Sequence, residues 1–492
     1  MKSEREETNM YLLMNKDKEI MQFNTLAGPL GNSYEIISQN EDQLPYGFTN
    51  IAEWISTRKG SKHNAHLKQI MKDCGCEDDL GYIRVTHAAS LNDTYWIKNE
   101  LESVTWNDVS FYRNEFDEQI SKLAFEGVGL YGIKLSSTSP ELCTEGSFRK
   151  CWKREDGEIY LYKRGTSGAM NAGLEPYCEM MASEIAAQIC DNAISYQKVT
   201  LHGEIASKCH LFTTESVGYV PYAKLKEDTT ANAMLDFYAS IGSEDKFRQM
   251  LVLDALTFNV DRHAGNHGVS INNDTKQILG MAPIFDLNLS LLPYVLPDEF
   301  ENIGNKMLEY GPRIGDDFTR IGQMALTPEI RAKLINLKGF EFSFRGNETF
   351  SKERVHFLEQ MIERQITGLL SKEQLYTKDV FVPEQAKEIQ PVNSDVGLNS
   401  AADDLADNLQ DVLPDALVSE MNDSSNDFVI VSLNEAVEIY ISVSDFSVEI
   451  YVGGQLADES SLTEEERMDY TKICEAVDDF ELEYANFDDL AR

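Results

Sequence analysis

The stretch Asn259–Gly268 constrains the chain more than any other part of it. It reads Asn-Val-Asp-Arg-His-Ala-Gly-Asn-His-Gly, and it sets Asp261 and Asn266 five positions apart. Its two glycines argue against a regular helix. Twenty residues after Asn266 an apolar run ends at Asp286, and an intervening turn would return Asp286 to the loop. The chain is therefore expected to fold so that three oxygen-bearing side chains meet at one irregular loop.

These side chains suit phosphoryl transfer from ATP. Mg²⁺ prefers oxygen ligands in a near-octahedral shell, with only one or two protein groups alongside phosphates and water. We therefore predict that Asn266 and Asp286 are metal ligands. The remaining carboxylate, Asp261, can accept the proton of an incoming hydroxyl. A protein-kinase catalytic loop has the same five-residue spacing of aspartate and asparagine, although the His-Arg-Asp order is absent here.

The nucleotide phosphates are predicted to contact Lys163. This lysine ends an apolar strand, where an inward-pointing charge is costly unless it is paired or meets phosphate. The alternative is a strand-edge lysine that faces solvent. A helix predicted over about 176–189 offers Glu179 and Glu184 as ion-pair partners for the lysine.

A hairpin with its turn at Asp156-Gly157 should precede Lys163. Gly146 and Ser147 lie at its mouth, where backbone N–H groups could bind phosphate oxygens. The loop at 165–173 could cover the active site or carry a regulatory phosphorylation site, and an ordinary loop is the alternative.

In combination these motifs resemble the HipA-like serine/threonine kinases, over about residues 44 to 370. The motifs are Asn-x-Asp-Arg-His-x-x-Asn at 259–266, Ala-Pro-Ile-Phe-Asp at 282–286, Leu-Tyr-Lys-Arg-Gly at 161–165 and Glu-x-x-Ala-Ser-Glu-Ile-Ala at 179–186. The Asp-Arg-His-x-x-Asn core is also similar to that of phosphoinositide kinases. The resemblance implies ATP, Mg²⁺ and a protein substrate. It also implies that Gly146 and Lys150 form the family's glycine-lysine pair, and it favours Glu179 as the partner of Lys163.

Two residues beside Asp261 complete the catalytic candidates. His263 is predicted to hydrogen-bond the loop into shape, and Arg262 to pair with a carboxylate or a phosphorylated residue. His263 and His267 are four positions apart, a spacing that binds zinc on a helix. The glycines in the loop disfavour that helix. Farther upstream Asp93, next to Asn92, could be taken for a metal ligand, but a capped turn is the commoner structure.

The predicted fold class is α+β, a bilobal protein-kinase-like fold with an N-terminal mixed α/β extension and a small acidic C-terminal β-rich module. Two short helices are expected within 49–75, a weak helix at 401–412, and three strands and a helix in the last module. The predicted boundaries are a lightly packed extension at 1–43, a region packing on the small lobe at 44–143, the small lobe and hinge at 144–240, the large lobe at 241–385, an acidic linker at 386–427 and the acidic module at 428–492.

The net charge of −39 bounds the partners. The last 98 residues contain 26 acidic and three basic side chains and so carry −23 of that charge. Such a field repels nucleic-acid phosphates and anionic membranes. The partners that remain compatible with this negative charge are a protein substrate, an antitoxin-like protein or another basic protein. A charged N-terminus, no apolar run of membrane-spanning length and eight cysteines without paired spacing predict a cytoplasmic protein with reduced thiols.

Two other functions stay open at this point. The phosphoinositide-kinase-like core would also suit a kinase of a lipid or a small molecule. Alternatively, the chain could be a toxin or defence protein that acts through its acidic C-terminal module, with the kinase fold sensing nucleotide.

Overall fold

The chain of the computed structural model divides into two compact units, Met1–Val382 and Pro383–Arg492. Helices and antiparallel sheets occur together, so the architecture is α+β, as predicted. No helix in the described ranges is long and apolar enough to cross a membrane. The structure describes residues 9–28, 31–60, 70–72, 74–76, 78–126, 138–144, 148–166, 172–296, 299–300 and 311–371 of the first unit, and 417–423, 426–433, 437–442, 448–452, 455–457, 463, 467, 470, 472–473 and 477 of the second.

The N-terminal residues form a four-stranded antiparallel sheet in the order β3-β2-β1-β4. Its strands are β1 (Asn9–Asn15), β2 (Lys18–Gly28), β3 (Gly31–Gln39) and β4 (Tyr95–Asn99). Leu13, Phe23 and Trp96 are fully buried in one apolar cluster. The prediction of a lightly packed extension over residues 1–43 is therefore wrong for these strands. The partner strand β4 lies too far along the chain for a local pattern to reveal it.

Short helices share this apolar cluster. They are α1 (Ile51–Ser56), α2 (Asp79–Thr86), α3 (Trp106–Val109) and α4 (Glu118–Glu126). Side-chain caps start two of them, because Asn50 accepts a hydrogen bond from Glu53 N and Asp78 accepts one from Gly81 N. Of the two helices predicted within 49–75, α1 is the first. Residues 70–72 are helical, and residues 61–69 lie outside the described part of the chain.

Asp93 belongs to a turn that a buried arginine holds. Its carboxylate accepts two hydrogen bonds from Arg58, at 2.6 and 2.7 Å, and a third from Tyr95 N. The backbone carbonyl of its neighbour Asn92 accepts a bond from Tyr219 N. These contacts agree with a capped turn rather than a metal site.

The predicted small lobe contains a second antiparallel sheet, in the order β5-β6-β8-β7. The turn between its first two strands lies at Asp156 and Gly157, both with positive φ, as the sequence predicts. Helix α5 packs against the sheet. The elements are β5 (Lys150–Glu155), β6 (Glu158–Arg164), α5 (Glu175–Ile189), β7 (Tyr196–Leu201) and β8 (Glu204–His210).

The predicted large lobe begins with helices that lead into the Asn259–Gly268 loop. The β10–β11 hairpin follows the loop and returns the chain toward Asp286, and β9, from before the loop, pairs with β10 in the three-stranded sheet β11-β10-β9. Later helices complete the apolar core. The elements, of which the first two precede the predicted boundary at residue 241, are β9 (Val217–Pro221), α6 (Ala231–Ser240), α7 (Glu244–Thr257), β10 (Gly268–Asn272), β11 (Ile278–Met281), α8 (Phe318–Ala325), α9 (Pro328–Asn336) and α10 (Lys352–Leu370).

The N-terminal block, residues 9–126, contacts both of these regions. On the β5–β6 hairpin, Arg154 Nη2 donates to three carbonyl oxygens of the block, from residues 111, 112 and 114. On the β10–β11 hairpin, Asn15 Nδ2 donates to Asn273 O at 2.9 Å, and Lys276 Nζ donates to Leu44 O. The block is therefore attached on both sides of the loop that connects β8 to β9.

The second unit contains a five-stranded antiparallel sheet in the order β12 to β16. Its strands are β12 (Leu417–Asp423), β13 (Asn426–Ser432), β14 (Val437–Ser442), β15 (Val448–Val452) and β16 (Gln455–Ala457). β12 lies within the stretch predicted to be a linker, and β16 was not predicted either. Arg467, Tyr470, Lys472, Ile473 and Val477 are helical, in the region of the predicted helix. The weak helix predicted at 401–412 falls outside the described residues.

Candidate active site

The Asn259–Gly268 loop is fixed where it leaves α7. The helix ends at Phe258, whose φ of 54° is left-handed and turns the chain out of the helix axis. Asn259 Nδ2 then donates back to Asp254 Oδ1 at 2.9 Å, and Asn259 Oδ1 accepts from Asp261 N at 3.1 Å. Asp261, which is predicted to accept the proton of the acceptor hydroxyl, therefore lies one capped turn after the buried end of α7.

Arg262 holds this loop from behind. The side chain is 2% exposed, and its Nε and Nη2 donate to the two oxygens of Asp254 at 2.9 and 3.2 Å. Its Nη1 donates to Asn266 O at 2.8 Å and to Phe285 O at 2.7 Å. One nitrogen thus ties the backbone of the predicted ligand Asn266 to the residue just before Asp286. Arg262 thus pairs with a carboxylate, as the sequence analysis expected, and its guanidinium positions the loop from inside the fold.

The two histidines of the loop have separate partners. His263 Nδ1 accepts a hydrogen bond from Gly265 N at 3.0 Å, which shapes the loop as expected. His267 is buried, and its Nδ1 lies 2.8 Å from the hydroxyl of Tyr238. Burial lowers the pKa of both rings, that of His267 to about 3. The described residues contain no cluster of three or more His, Cys, Asp or Glu able to hold a metal ion, so the zinc interpretation finds no support.

Asn266 and Asp261 face one another across the loop. Asn266 Nδ2 donates to Asp261 O at 2.9 Å and lies 3.4 Å from Asp261 Oδ2. This bond uses the amide nitrogen and leaves the amide oxygen as the atom that can face a cation. The Asp261 side chain is 18% exposed, and Arg313 Nε lies 3.6 Å from its Oδ1. Arg313 was not among the predicted site residues.

Lys163 lies between two carboxylates. Its Nζ is 2.9 Å from Glu179 Oε1 and 2.5 Å from Asp286 Oδ1. Lys163 is 8% exposed and Glu179 fully buried, so the strand-edge alternative does not describe this lysine. The structure also separates the two glutamates of α5, because Glu184 instead accepts bonds from Ser343 N and Oγ.

Charge pairing outweighs burial in this group. Burial by itself would lower the pKa of Lys163, but Asp286 and Glu179 hold that pKa well above its ordinary value. Burial would likewise raise the pKa of Asp286, yet Lys163, with smaller effects of Lys150 and Arg262, holds it below the ordinary value. Lys163 and Asp286 are therefore both ionised at neutral pH.

Asp286 reaches Lys163 because several contacts fix the segment before it. Ile284 forms a parallel bridge with Ala193, and Asp286 N donates to Tyr196 Oη at 3.1 Å. Asp286 itself has a φ of 59°, a conformation that non-glycine residues rarely adopt without such support. The ring of Phe285 packs against Tyr219, whose hydroxyl donates to Gly265 O at 2.9 Å.

The predicted phosphate-binding mouth is only partly described. Gly146 and Ser147 lie outside the described residues. Lys150 is half-buried, stands opposite Lys163 in the β5–β6 register, and contributes to the lowered pKa of Asp286. The positive charge of Lys150 therefore acts on the carboxylate of Asp286, which Lys163 also contacts.

The ends of the 165–173 loop meet at a buried carboxylate. Glu175 is 1% exposed and accepts hydrogen bonds from Thr166 N and Oγ1 and from the hydroxyl of Tyr294. A Cβ on Gly165 would lie 2.6 Å from Gly173 Cα and 2.7 Å from Glu175 Oε2. The two ends of the loop thus approach so closely that position 165 has no room for a side chain. Residues 167–171 lie outside the described part of the chain.

The N-terminal block also holds the predicted hinge, the β8–β9 connection. Glu215 in this connection accepts a 2.7 Å hydrogen bond from Trp106 Nε1 and pairs with Arg113, with 2.7 Å between Nε and Oε1. Sequence patterns do not reveal this role of Glu215, because its partners lie about a hundred residues upstream.

The donor set fits a magnesium ion better than a soft metal. Asp286 keeps 25% of its side chain exposed, and Asn266 presents its amide oxygen. An aspartate and an amide oxygen are hard ligands, and two protein groups are what Mg²⁺ takes when a nucleotide completes its shell. The residues present therefore fit that cofactor.

No family model and no curated protein matches the chain. Among solved structures, the Helicobacter pylori proinflammatory kinase CtkA is 18% identical with a TM-score of 0.37, and the match covers 46% of this chain and 91% of that chain. HipA of Shewanella oneidensis MR-1, solved in a toxin–antitoxin complex with HipB and operator DNA, is 11% identical with a TM-score of 0.44, covering 74% and 100%. The similar structures thus include the family that the sequence motifs resemble. The side-chain geometry of this chain, rather than that likeness, carries the function proposed below.

Proposed function

We propose that the chain is an ATP- and Mg²⁺-dependent protein serine/threonine kinase of the HipA-like type. The observation that carries this proposal is the buried group of Lys163, Glu179 and Asp286. It combines a strand lysine, a helix glutamate and an aspartate that follows the catalytic loop, which are the parts that protein kinases use to hold ATP phosphates and metal. Asp261 would then face the acceptor hydroxyl, next to Asn266.

In the proposed reaction the oxygen of an acceptor hydroxyl forms a bond to the γ-phosphorus of ATP. The bond from that phosphorus to the β–γ bridging oxygen breaks, and its electron pair leaves with ADP. The hydroxyl proton passes to the carboxylate of Asp261. Asn259 and Asn266 hold the backbone of Asp261 on either side, which keeps the carboxylate oriented while the proton moves.

On the nucleotide side, Lys163 would donate to phosphate oxygens while Glu179 keeps its ammonium in place. Asn266 and Asp286 would hold Mg²⁺. When bound, that ion supplies positive charge that neutralises the triphosphate. Arg262 would keep the backbones of these two ligand residues together from behind the loop.

The charge of the chain supports a protein substrate over a lipid. A net charge of −39 opposes work at an anionic membrane surface. An acidic field instead attracts basic proteins, so the proposal includes a basic or antitoxin-like protein partner for the acidic second unit.

The test is transfer of label from γ-labelled ATP in a cell extract that is afterwards separated into protein, lipid and metabolite fractions. The wild type is compared with Asp261→Asn, which keeps the shape of the side chain but removes the base. Asp274→Asn is the matched control, because Asp274 is an exposed aspartate paired with Lys16 on a distant hairpin. We expect label on serine or threonine in the protein fraction with wild type and control, and a loss of about 10²-fold or more with Asp261→Asn.

Each other result has a defined meaning. Equal labelling by the wild type and Asp261→Asn would contradict a kinase reaction at this site. Label that depends on Asp261 but lies in the lipid or metabolite fraction would keep the phosphotransferase and replace the protein substrate.

A further inference from the structure

A cation lies beside Asp261 that no predicted motif contains. Arg313 Nε is 3.6 Å from Asp261 Oδ1, and the two side chains are 28% and 18% exposed. The same arginine is, after burial, the largest cause of the lowered pKa of His263. The guanidinium therefore lies close to both the predicted base and the histidine that shapes its loop.

The backbone that carries Arg313 is well anchored. Pro312 before it has a restricted φ, and Ile314 after it is 4% exposed in the main apolar core. Gly315 follows with a φ of 100°, and a Cβ there would lie 3.1 Å from Ile321. The arginine side chain thus extends from a fixed backbone toward the acceptor side of the cleft.

The pairing of Arg313 with Asp261 is of an exchangeable kind. An ion pair between partly exposed groups contributes about 0–1 kcal/mol, so a more highly charged group can displace it. Two other cations of the site, Arg262 and Lys163, are more deeply buried than Arg313. Arg262 makes four buried hydrogen bonds, and Lys163 is buried between two carboxylates.

The geometry points to Arg313 as a further catalytic residue, one that binds the phosphoryl group during its transfer. This inference rests on the proposed function. As the bond from the acceptor oxygen to the γ-phosphorus forms and the bond to the bridging oxygen breaks, negative charge spreads over the three other phosphoryl oxygens. Arg313 turns from Asp261 to donate N–H groups to those oxygens, and Asp261 is then available for the hydroxyl proton. Arg313 itself neither gains nor loses a proton.

The test compares Arg313→Gln and Arg313→Lys with the wild type in steady-state kinetics. Arg320→Gln is the matched control, because Arg320 is exposed and pairs with Asp316 one helical turn away. We expect kcat to fall about 10²- to 10³-fold in Arg313→Gln, with the KM for ATP within a few-fold of the wild type and Arg320→Gln unchanged. Arg313→Lys should recover only part of the loss, because an ammonium cannot bind two oxygens in the fork geometry of arginine.

A binding measurement gives a second readout. ADP with Mg²⁺ and aluminium fluoride imitates the transferring phosphoryl group, whereas ADP with Mg²⁺ alone does not. By calorimetry, Arg313→Gln should lose at least about tenfold in affinity for the fluoride complex and keep its affinity for ADP.

Three outcomes overturn the inference. Unchanged kcat in Arg313→Gln would remove the residue from the reaction, and a raised kcat would show that Arg313 only restrains Asp261. If the glutamine variant fails to fold, wild-type kcat in Arg313→Lys would overturn it as well. A wild type no more active than Asp261→Asn would instead refute the proposed function, and the role of Arg313 would fall with it.

Discussion

The buried group around Lys163 makes a quantitative prediction about stability. Glu179 is fully buried and its second oxygen accepts a hydrogen bond from Ser207. Replacing Lys163 with methionine keeps most of the side-chain volume but leaves Glu179 and Asp286 without the cation between them. Removing one partner of a buried pair typically costs about 3–5 kcal/mol, because the remaining charge stays desolvated. We expect the free energy of unfolding to fall by about that amount.

A second substitution separates charge from packing. The double variant Lys163→Met, Glu179→Gln removes the fully buried carboxylate. The amide oxygen of the new glutamine side chain can still accept the hydrogen bond from Ser207. Neutral replacement of both partners of a buried ion pair is often close to harmless. The double variant should therefore recover at least about 2 kcal/mol of the loss, and under the proposed function it should still fail to transfer label.

The assay is urea unfolding at pH 7 followed by circular dichroism. Lys333→Met is the matched control, since Lys333 pairs with Asp191 at 2.6 Å but Asp191 is 54% exposed. That variant should lose at most about 1 kcal/mol. If Lys163→Met costs no more than Lys333→Met, or if the double variant is as unstable as the single one, the pairing is not what stabilises this site.

The pH dependence follows from the directions of the two pKa shifts. The lowered pKa of Asp286 contributes stability that is present above the ordinary aspartate pKa of about 3.9 and is lost as pH falls through the folded value. The raised pKa of Lys163 contributes stability that is present below about 10.4 and is lost as pH rises through its folded value. The gap in stability between the wild type and Lys163→Met should therefore be widest at about pH 5–9.

Three further predictions concern other parts of the chain. Gly165→Ala should lower the free energy of unfolding by about 1–3 kcal/mol, because its Cβ would lie 2.6 Å from the far end of the loop, while Gly311→Ala, with open space around it, should be neutral by urea unfolding. The pKa of about 3 for His267 means that the unfolded chain binds its proton first, so stability falls as pH drops below about 6.5; His267→Gln should flatten that fall between pH 7 and 4, and exposed His356→Gln should not. A chain ending at Val382 should transfer label within a few-fold of the full chain in the labelling assay, because the described residues of the proposed site all lie in the first unit.

The loop and the residues it brings together could be predicted because their signals are local. The spacing of Asp261 and Asn266, the hairpin after them and the apolar strand before Lys163 are all visible in short windows. The choice between Glu179 and Glu184 was not decidable from periodicity. Five residues along a helix rotate a side chain by about 140°, so only one of the two can face Lys163, but the pattern does not say which one.

Other features could not be predicted because they depend on distant partners. One edge of β1 pairs with β4, some eighty residues later. Arg313 reaches Asp261 from a loop that shares no motif with it, and the carboxylate that pairs with Arg262, Asp254, lies eight residues earlier on a buried helix. The sequence of β12 was interpreted as a linker because its acidic and polar residues obscure the alternation of apolar and polar residues that is typical of a strand.

The ion pairs of the cleft bear on the order of events in the proposed reaction. Lys163 and Arg313 each contact a carboxylate, Asp286 and Asp261, that the proposed reaction needs for another task. When phosphate oxygens take over as partners of the two cations, both carboxylates become available at the same time. In the proposed reaction the same two cations would therefore pair with carboxylates at one stage and with phosphate oxygens at the next.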